Sequence, residues 1–271
     1  MTVKELIANG KNYTEKERKT ILCFLLDCSF SDLFFIDEVD DKISSSYLEL
    51  VKSNLPIQYL LHYSNFYGYD FYVDESVLIP RPETELLVDK CLSYINNYFD
   101  SKKISICDLG TGSGCIAITL KKEMPFSSVT AVDISNKALK VAIKNARINK
   151  ASINFIKSNM LDKVDCKFDV IVSNPPYIAK KDIKSIDSNV LKYEPHLALF
   201  GGEDGLLYYK KILQQAKKNL KEKSLIALEI GYDEKEKVIE IAKTFFPNST
   251  IKSLKDLNNY DRYIFILNNF E

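Results

Sequence analysis

The feature that most constrains the fold is the regular alternation of short apolar runs and amphipathic segments after Asp100. The apolar runs are rich in valine and isoleucine, as buried strands are, and the segments between them have helical periodicity. Strands are predicted at 104–108, 129–132, 153–157, 168–172, 225–230, near 251 and at 263–267, with helices from 114, at 135–149, at 205–220 and at 234–246. This order predicts an α/β fold with a doubly wound, mainly parallel, seven-stranded sheet that ends in an antiparallel hairpin.

The first part of the chain has a different character. Thr14 is a suitable N-cap for a helix that runs to about Asp27, and residues 44–55 have a second amphipathic pattern. Residues 1–57 are therefore predicted to form a small helical domain, which carries no evident chemistry of its own.

A cluster of aromatic residues around Gly68 predicts a β-hairpin. Residues 58–80 are accordingly expected to form a hairpin linker, followed by a second domain of residues 81–271. That domain opens with Arg81 between two prolines, and the second proline is predicted to begin a helix that runs to about Tyr98. Arg81 is either part of a structural ion pair or a substrate contact, and its sequence context does not separate the two.

Composition excludes several classes of protein. The 271-residue chain has no net formal charge, although residues 1–80 carry 7 basic and 13 acidic side chains against 30 and 24 in residues 81–271. This distribution does not predict nucleic-acid binding. No apolar run reaches the ~18 residues of a membrane span and the N-terminus has no secretory signal, so a cytoplasmic protein without membrane contact is expected. With two histidines and no Cys-x-x-Cys pair, no metal site is expected.

A glycine-rich turn follows the first predicted strand of the sheet. Asp108 and Leu109 end the strand, and Gly110-Thr111-Gly112-Ser113-Gly114 leads into the next helix. Glycines at alternate positions permit a tight turn and let a ligand approach backbone N–H groups. The spacing is neither the Gly-x-Gly-x-x-Gly of dinucleotide sites nor the Gly-Lys-Ser/Thr of a P-loop. Asp108 is placed to face the ammonium group of an amino-acid moiety.

Polar residues also follow the second and fourth strands. Asp133 follows the second, where a carboxylate can accept hydrogen bonds from both hydroxyls of an adenosine ribose. Asn174-Pro175-Pro176-Tyr177 follows the fourth, where the prolines stop the strand and cannot donate. The Asn174 side-chain oxygen and the Pro175 carbonyl can accept hydrogen bonds from an NH2 group, and Tyr177 offers a flat face for stacking. Taken alone, this loop could equally be a rigid turn.

The ordered set of glycine turn, Asp133 and Asn-Pro-Pro-Tyr loop resembles the motifs of S-adenosylmethionine-dependent methyltransferases that act on an exocyclic or amide nitrogen. The resemblance implies that the turn after the third strand contacts adenine. Asn159 stands there where an acid is usual, and its oxygen can still accept a hydrogen bond from the adenine amine. Met160 would supply apolar contact with the ring, and Asn174 would face both the cofactor and the substrate.

Further motifs make the resemblance more specific. They are Gln58-Tyr59, Phe66-Tyr67-Gly68, Leu78-Ile79-Pro80-Arg81-Pro82-Glu83-Thr84-Glu85, Tyr193-Glu194-Pro195, Gly202-Glu203-Asp204-Gly205-Leu206, and Asp256 with Arg262. In this order they resemble the bacterial peptide-chain release factor glutamine methyltransferases over about residues 55–267. The resemblance implies a class I methyltransferase domain that uses S-adenosyl-L-methionine.

The same resemblance implies methylation of the side-chain amide nitrogen, N5, of the glutamine in the Gly-Gly-Gln motif of class 1 release factors. Those factors would be the protein partner. Catalysis and substrate binding are both assigned to Asn174, Pro175, Pro176 and Tyr177. Arg81 is added as a substrate contact, and recognition is assigned to the helical N-terminal domain. A monomer is expected.

Departures from the family pattern are confined to turns. The family usually has glycine at the positions of His62 and Asn258, and an acid at that of Asn65, so local turn geometry is expected to differ there. Residues 179–203 lack clear periodicity directly after the Asn-Pro-Pro-Tyr loop, which favours a functional loop over a linker.

Three alternatives remain open. One is a glutamine methyltransferase of a ribosomal protein, and another is an amino methyltransferase of nucleic acid. The sequence from Leu197 to Gly202 favours the release factor enzymes, and the lack of a basic cluster disfavours nucleic acid. The third is a non-catalytic adapter on a methyltransferase scaffold, which is disfavoured because the chain keeps both the glycine turn and Asn174.

Overall fold

The computed structural model describes residues 1–101 and 103–270, which divide into two compact units between Tyr63 and Ser64. The division falls inside the predicted linker, at neither of its predicted ends. The helices of the first unit are α1 (Val3–Ile7), α2 (Glu15–Leu26), α3 (Asp41–Leu50) and α4 (Ile57–Leu61). A 3-10 turn at Asp32–Phe35 lies between α2 and α3.

Helix caps explain where the N-terminal helices begin. Thr14 caps α2 as predicted, because its Oγ1 accepts the Glu17 N–H at 3.3 Å while the Glu17 carboxylate accepts the Thr14 N–H at 2.7 Å. The predicted start of the next helix at Ser44 is wrong. Asp40 Oδ1 accepts the N–H groups of Lys42 and Ile43, so Asp40 caps the helix and α3 starts at Asp41.

The N-terminal unit has a hydrophobic core of its own. Leu6, Ile21, Leu22 and Tyr47 are fully buried within it and come from α1, α2 and α3. In α2, Ile21, Leu22 and Cys23 are buried, and Leu25 and Leu26 pack partly buried against the same core.

The second unit begins with β1 (Ser64–Phe66) and β2 (Tyr69–Phe71), which form the predicted antiparallel hairpin. The elements that follow are α5 (Pro82–Tyr98), β3 (Ser105–Leu109), α6 (Cys115–Glu123), β4 (Ser128–Asp133), α7 (Asn136–Ile148), β5 (Asn154–Lys157), β6 (Phe168–Ser173), α8 (Ser188–Tyr193), α9 (Leu207–Asn219), β7 (Leu220–Glu229), α10 (Lys235–Phe245), β8 (Thr250–Lys255) and β9 (Asp261–Asn268). The chain therefore alternates strand and helix as predicted.

Within the described residues, β3 to β9 form one seven-stranded sheet in the order β5-β4-β3-β6-β7-β9-β8. Neighbouring strands from β5 to β7 are parallel, and β9 runs antiparallel to both β7 and β8. Apolar residues of α5, α6 and α7 pack on one face, and those of α9 and α10 on the other. The predicted doubly wound α/β sheet with a terminal antiparallel hairpin is confirmed.

One strand starts earlier than its apolar pattern indicates. Strand β7 begins at Leu220 rather than at 225, and Leu220 pairs with Phe168 before a register shift to the pair Leu225 and Val170. The exposed polar residues 221–223 interrupt the apolar run. Pairing with β6 therefore extends the strand beyond what hydrophobicity alone reveals.

The unusual residues in the turns have local explanations. His62 ends α4 with φ 52°, in the left-handed region where glycine is favoured. Asn65 Nδ2 donates to Asp70 Oδ1 across the hairpin at 3.2 Å. Near Asn258, the left-handed conformation falls on the next residue, Asn259, with φ 66°. His62 and Asn259 thus adopt the left-handed conformation that glycine favours, with polar side chains that tolerate positive φ.

The segment 179–203 contains short helical turns despite its lack of periodicity: a 3-10 turn at Lys180–Ser185, helix α8 and a second 3-10 turn at His196–Ala198. Its ends are held side by side, because the Ile178 N–H donates to the Leu199 carbonyl at 3.0 Å and the Gly201 N–H donates to the Ile178 carbonyl at 2.9 Å. In the part of the chain that the structure describes, no helix combines the length and apolar character needed to cross a membrane.

Candidate active site

The glycine turn between β3 and α6 borders an open cleft at the carboxyl edge of the sheet. Gly110 and Gly112 line the cleft and have positive φ angles of 70° and 54°. A Cβ atom on Gly110 would meet no heavy atom within 4 Å, and one on Gly112 would lie 3.9 Å from the Gly110 carbonyl oxygen. These two glycines leave room for a ligand beside the backbone.

Gly114 has a different role, in helix packing. It precedes α6 with φ 84°, and a Cβ atom there would lie 3.0 Å from Ile118 Cδ1 and 3.2 Å from Ala142 Cβ on α7. Thr111 and Ser113 are buried and do not line the cleft. The structure therefore does not bring the side chains of this part of the turn to the cleft.

Asp108 lies beneath the glycine turn and is completely buried. Its Oδ2 accepts hydrogen bonds from Thr111 Oγ1 at 2.6 Å and from the Ala117 N–H at 3.2 Å, which ties β3 to the turn and to α6. Its Oδ1 has no hydrogen-bond partner among the described residues. Burial raises the pKa of Asp108 to about 7, although the two hydrogen bonds act in the opposite direction. The predicted contact with an ammonium group depends on Oδ1 and stays a prediction.

Asp133 ends β4, and it lines the cleft beside the glycine turn. Its Oδ2 accepts the Gly112 N–H at 2.9 Å, and its Oδ1 accepts the Ser135 N–H at 2.8 Å. Burial raises the pKa of this carboxyl group, and the backbone hydrogen bonds partly offset that effect. Each oxygen has a further lone pair, so the fixed carboxylate can still accept hydrogen bonds from two hydroxyl groups.

The turn after β5 forms the next part of the cleft wall. The Ser158 N–H donates to the Asp133 carbonyl at 3.0 Å, which joins this turn to the end of β4. Asn159 and Met160 both line the cleft, and Met160 is buried with φ 53°. The structure thus brings the two residues predicted to lie near adenine into the same cleft as Asp133.

Sequence reasoning missed a large part of the cleft wall. The additional lining residues are Ser76, Val77, Leu78, Ile134, Ser135, Ala138, Ser158, Pro195, Leu197, Ala198 and Tyr208. Most of them are apolar or small and belong to no chemical motif, so only their three-dimensional position reveals them. Three of them come from the segment 179–203, which supports the prediction that this segment is functional.

The Asn-Pro-Pro-Tyr loop follows β6 on the opposite side of the glycine turn. Ser173 Oγ donates to the Leu109 carbonyl at 2.7 Å and so links the ends of β6 and β3. Asn174 and Pro176 line the cleft, whereas Pro175 is buried. Tyr177 instead lines a separate groove with Gly231 and Glu234, and burial raises its pKa to about 12. The structure does not place the Tyr177 ring on the cleft wall.

The Asn174 side chain is held by a chain of hydrogen bonds through two residues that sequence reasoning did not assign. Its Nδ2 donates to Thr84 Oγ1 at 3.0 Å, and Thr84 Oγ1 donates to Glu229 Oε2 at 2.8 Å. Thr84 and Glu229 are 3% and 2% exposed. Burial raises the pKa of Glu229 to about 7, while the Thr84 hydrogen bond and the Arg262 charge act to lower it. Because Nδ2 is bound to Thr84, Oδ1 is the amide atom that Asn174 can offer to a substrate.

Arg81 forms an ion pair with Glu194, so of its two predicted roles the structural one is confirmed. The Glu194 side chain is 1% exposed, and its Oε2 also accepts the Ile79 N–H at 3.2 Å. Arg81 does not line the cleft. The pair joins the segment before α5 to the segment 179–203. Its predicted contact with substrate stays a prediction. Elsewhere in residues 1–101 and 103–270, no group of three or more His, Cys, Asp or Glu side chains is arranged to hold a metal ion.

Comparison with known proteins gives consistent results. The family model "Methyltransferase small domain" matches residues 84–222. The "Release factor glutamine methyltransferase" of Flavobacterium psychrophilum is 47% identical over 218 residues, which cover 79% of this chain and 76% of that protein. The protein of the same name from Streptococcus pneumoniae is 41% identical over 269 residues, 97% of this chain and 94% of that one.

Among solved structures, a methyltransferase from Pyrococcus furiosus matches with a TM-score of 0.54 and 20% identity, over 74% of this chain and 89% of that one. At this identity the match concerns the fold, and it agrees with the class I methyltransferase architecture of the sheet. The family model covers both the glycine turn and the Asn-Pro-Pro-Tyr loop, and the match to the Streptococcus pneumoniae protein covers nearly the whole chain. The chain therefore belongs to the family of release factor glutamine methyltransferases.

Proposed function

We propose that this protein methylates the side-chain amide nitrogen, N5, of the glutamine in the Gly-Gly-Gln motif of class 1 peptide-chain release factors, with S-adenosyl-L-methionine as the methyl donor. The observation that carries the proposal is the fixed Asn174 amide. It lies in one cleft with Asp133 and Gly110, and its Nδ2 is bound to Thr84, which leaves Oδ1 to face an incoming NH2 group. The names of the close relatives agree with this substrate.

The residues of the cleft fit S-adenosylmethionine. Asp133 can accept hydrogen bonds from both ribose hydroxyls, and the open space beside Gly110 and Gly112 admits a ligand next to the backbone. Asn159 and Met160 would contact the adenine, the first through its oxygen and the second through its apolar side chain. Beneath the glycine turn, the Oδ1 of Asp108 has no hydrogen-bond partner among the described residues and is suited to an ammonium group.

When bound, the cofactor would supply an electrophilic methyl group on a sulfonium ion. The protein has to orient the acceptor nitrogen, because an amide lone pair is delocalised and a poor nucleophile. Asn174 Oδ1 and the Pro175 carbonyl would each accept one amide N–H and so fix the plane of the glutamine side chain. Positioning and electrostatics then supply the rate enhancement, and the amide nitrogen releases one proton to water only as the new bond forms. Pro176 stiffens the loop and would contribute to the substrate contacts, whereas the contact predicted for Tyr177 stays a prediction because its ring is not on the cleft wall.

We assign recognition of the release factor to the N-terminal unit as well as to the cleft. Residues 1–63 form a unit with its own core, and we assign them to substrate recognition, with the hairpin and the following residues belonging to the catalytic unit. We propose a cytoplasmic location, since the proposed substrate acts in translation, and the expectation of a monomer stays a prediction.

Mass spectrometry of purified release factor after incubation with the protein and S-adenosylmethionine tests the proposal. We expect one added methyl group on the Gly-Gly-Gln peptide and none when the glutamine is replaced by alanine. A ribosomal-protein mixture and nucleic acid are offered in parallel. Methylation of either one, with the release factor unmodified, would refute the substrate assignment, and no transfer to any acceptor would support a non-catalytic adapter.

The variant Asn174→Ala identifies the residue that orients the acceptor. We expect transfer to be abolished while the dissociation constant for S-adenosylmethionine changes by less than about threefold, because Asn174 acts mainly on the glutamine. Asn154→Ala, at an exposed position on the edge strand β5, is the matched control and should leave transfer unchanged. Near-normal turnover by Asn174→Ala would contradict the mechanism.

A further inference from the structure

The Asn174 amide poses a problem of orientation. Its two ends have nearly the same shape, but only the oxygen can accept a hydrogen bond from a substrate NH2 group, whereas the nitrogen would repel it. A rotation of the amide by half a turn would exchange the two ends. The proposed function therefore requires a feature of the protein that distinguishes them.

Thr84 supplies this distinction through the single proton of its hydroxyl group. The Oγ1 atom lies 2.8 Å from Glu229 Oε2 and 3.0 Å from Asn174 Nδ2. An ionised carboxylate has no proton to donate, so the Thr84 proton must point to Glu229. The side of Oγ1 that faces Asn174 is then an acceptor, and it selects the amide nitrogen over the amide oxygen.

The three partners come from separate elements that fix their positions. Thr84 lies in the first turn of α5, Glu229 ends β7, and Asn174 follows β6, the strand next to β7. The start of α5 is anchored by Tyr263 Oη, which donates to the Glu83 carbonyl at 2.7 Å. Because Thr84 and Glu229 are almost completely buried, water does not compete for these hydrogen bonds.

We infer that Thr84 and Glu229 are positioning residues for methyl transfer, which hold the Asn174 amide with its oxygen toward the acceptor nitrogen. This inference rests on the proposed function. Neither residue has to touch the substrate or the cofactor, since both act through Asn174.

Protonation of Glu229 would remove the selection. A protonated carboxyl group can donate to Thr84 Oγ1, and the Thr84 hydroxyl is then free either to donate its proton to the Asn174 oxygen or to accept a hydrogen bond from the Asn174 nitrogen. The charged and titratable groups that interact with Glu229 are Glu83, Cys115, Tyr177, Tyr209, Arg262 and Tyr263. Burial raises the pKa of the three tyrosines and of Cys115, so these four stay neutral near pH 7. The positive charge that faces Glu229 in this set is that of Arg262, and it favours the ionised form.

Thr84→Val tests the inference, because valine keeps the shape of threonine and removes the hydroxyl group. The release factor binds as a whole protein, so it can bind with the Asn174 amide in either orientation. We therefore expect kcat to fall by at least about tenfold, while KM for the release factor and the dissociation constant for S-adenosylmethionine stay within about threefold of the wild type. Thr84→Ser restores the hydroxyl group and should return kcat to within about threefold of the wild type.

Thr119→Val is the matched control for the loss of a buried threonine hydroxyl. Thr119 is fully buried in α6, and its Oγ1 has no hydrogen-bond partner among the described residues. This variant should keep the wild-type kcat. Thermal unfolding of all variants is recorded, so that a loss of folded protein is not read as a loss of positioning.

The ratio of wild-type kcat to Thr84→Val kcat, measured from pH 6 to pH 8, supplies a readout that a structural role would not produce. Titrations shared by both proteins cancel in this ratio. It should be largest above about pH 7, where Glu229 is ionised, and should decrease toward pH 6. A constant ratio, a wild-type kcat in Thr84→Val or a failure of Thr84→Ser to recover activity would overturn the inference. If the wild type methylates another acceptor, the substrate assignment fails, and the same comparison on that acceptor still decides the role of Thr84.

Discussion

Two glycines of one turn should respond to alanine in opposite ways. Gly110 and Gly114 both have positive φ angles, 70° and 84°, so an alanine at either position has a left-handed conformation that costs roughly 1–2 kcal/mol. Their surroundings differ. A Cβ atom on Gly110 would point into the open cleft, whereas one on Gly114 would lie 3.0 Å from Ile118 Cδ1 and 3.2 Å from Ala142 Cβ.

The expected loss of stability in each variant follows from this difference in surroundings. Gly110→Ala should lower the free energy of unfolding of the catalytic unit by roughly 1–2 kcal/mol, which is the conformational cost alone. Gly114→Ala has an additional overpacking cost of roughly 1–3 kcal/mol, because α6 and α7 must move apart. We therefore expect Gly114→Ala to be the less stable of the two by roughly 1–3 kcal/mol.

Urea unfolding measures the change in the free energy of unfolding. The transition of the catalytic unit is fitted separately from that of the N-terminal unit. Isothermal titration calorimetry with S-adenosylmethionine measures the affinity of each variant for the cofactor. Gly110→Ala should weaken cofactor binding by at least about tenfold, which corresponds to about 1.4 kcal/mol, because its methyl group occupies the cleft. Gly114→Ala should bind the cofactor normally as long as it is folded. Equal destabilisation by the two variants would refute the packing argument, and undisturbed binding by Gly110→Ala would refute the position of the cofactor.

Two further substitutions test the ion pair of Arg81 with Glu194 and the buried carboxyl group of Asp108. Arg81→Ala should lower the free energy of unfolding by roughly 1–3 kcal/mol, since Glu194 loses its charged partner; unchanged urea unfolding would contradict a structural role for the pair. Asp108→Asn should change the pH dependence of stability. The folded pKa of Asp108, about 7, lies above its ordinary value of 3.8, so its contribution is present in full below about pH 4 and is lost as the pH rises through 7. As the pH rises from 5 to 7, the free energy of unfolding of the wild type should therefore fall relative to that of Asp108→Asn by up to roughly 1.4 kcal/mol per pH unit. Parallel pH dependences of the two proteins in urea unfolding would contradict the burial of an acidic Asp108.

The fold could be predicted because its signals are local. Apolar runs, the prolines of the Asn-Pro-Pro-Tyr loop and the glycine turn each act within a few residues of the chain, and they place the strand ends at one edge of the sheet. The start of β7 was not predictable from hydrophobicity, because pairing with Phe168 determines it. The start of α3 was missed because its cap, Asp40, precedes the amphipathic pattern.

The site was predictable to the extent that its chemistry follows strand ends. Asp133, Asn159 and Asn174 all lie in the cleft, although their roles stay proposals. The support for Asn174 was not predictable, because Thr84 and Glu229 are far apart in sequence and meet only through the packing of α5 against the sheet. Nor does the sequence reveal that Asp108 is buried beneath the turn or that Tyr177 faces away from the cleft.

The hairpin has a practical consequence for the preparation of shorter forms of this protein. Phe66 and Phe71 are each 1% exposed and belong to the same hydrophobic core as α5 and α6. A truncated protein that begins at Arg81, where the motif-rich part of the sequence starts, would lose both aromatic side chains and expose the apolar surface beneath them. Such a fragment should aggregate. A fragment that begins at Ser64 keeps both phenylalanine side chains over the core and should be suited to crystallisation and to limited proteolysis.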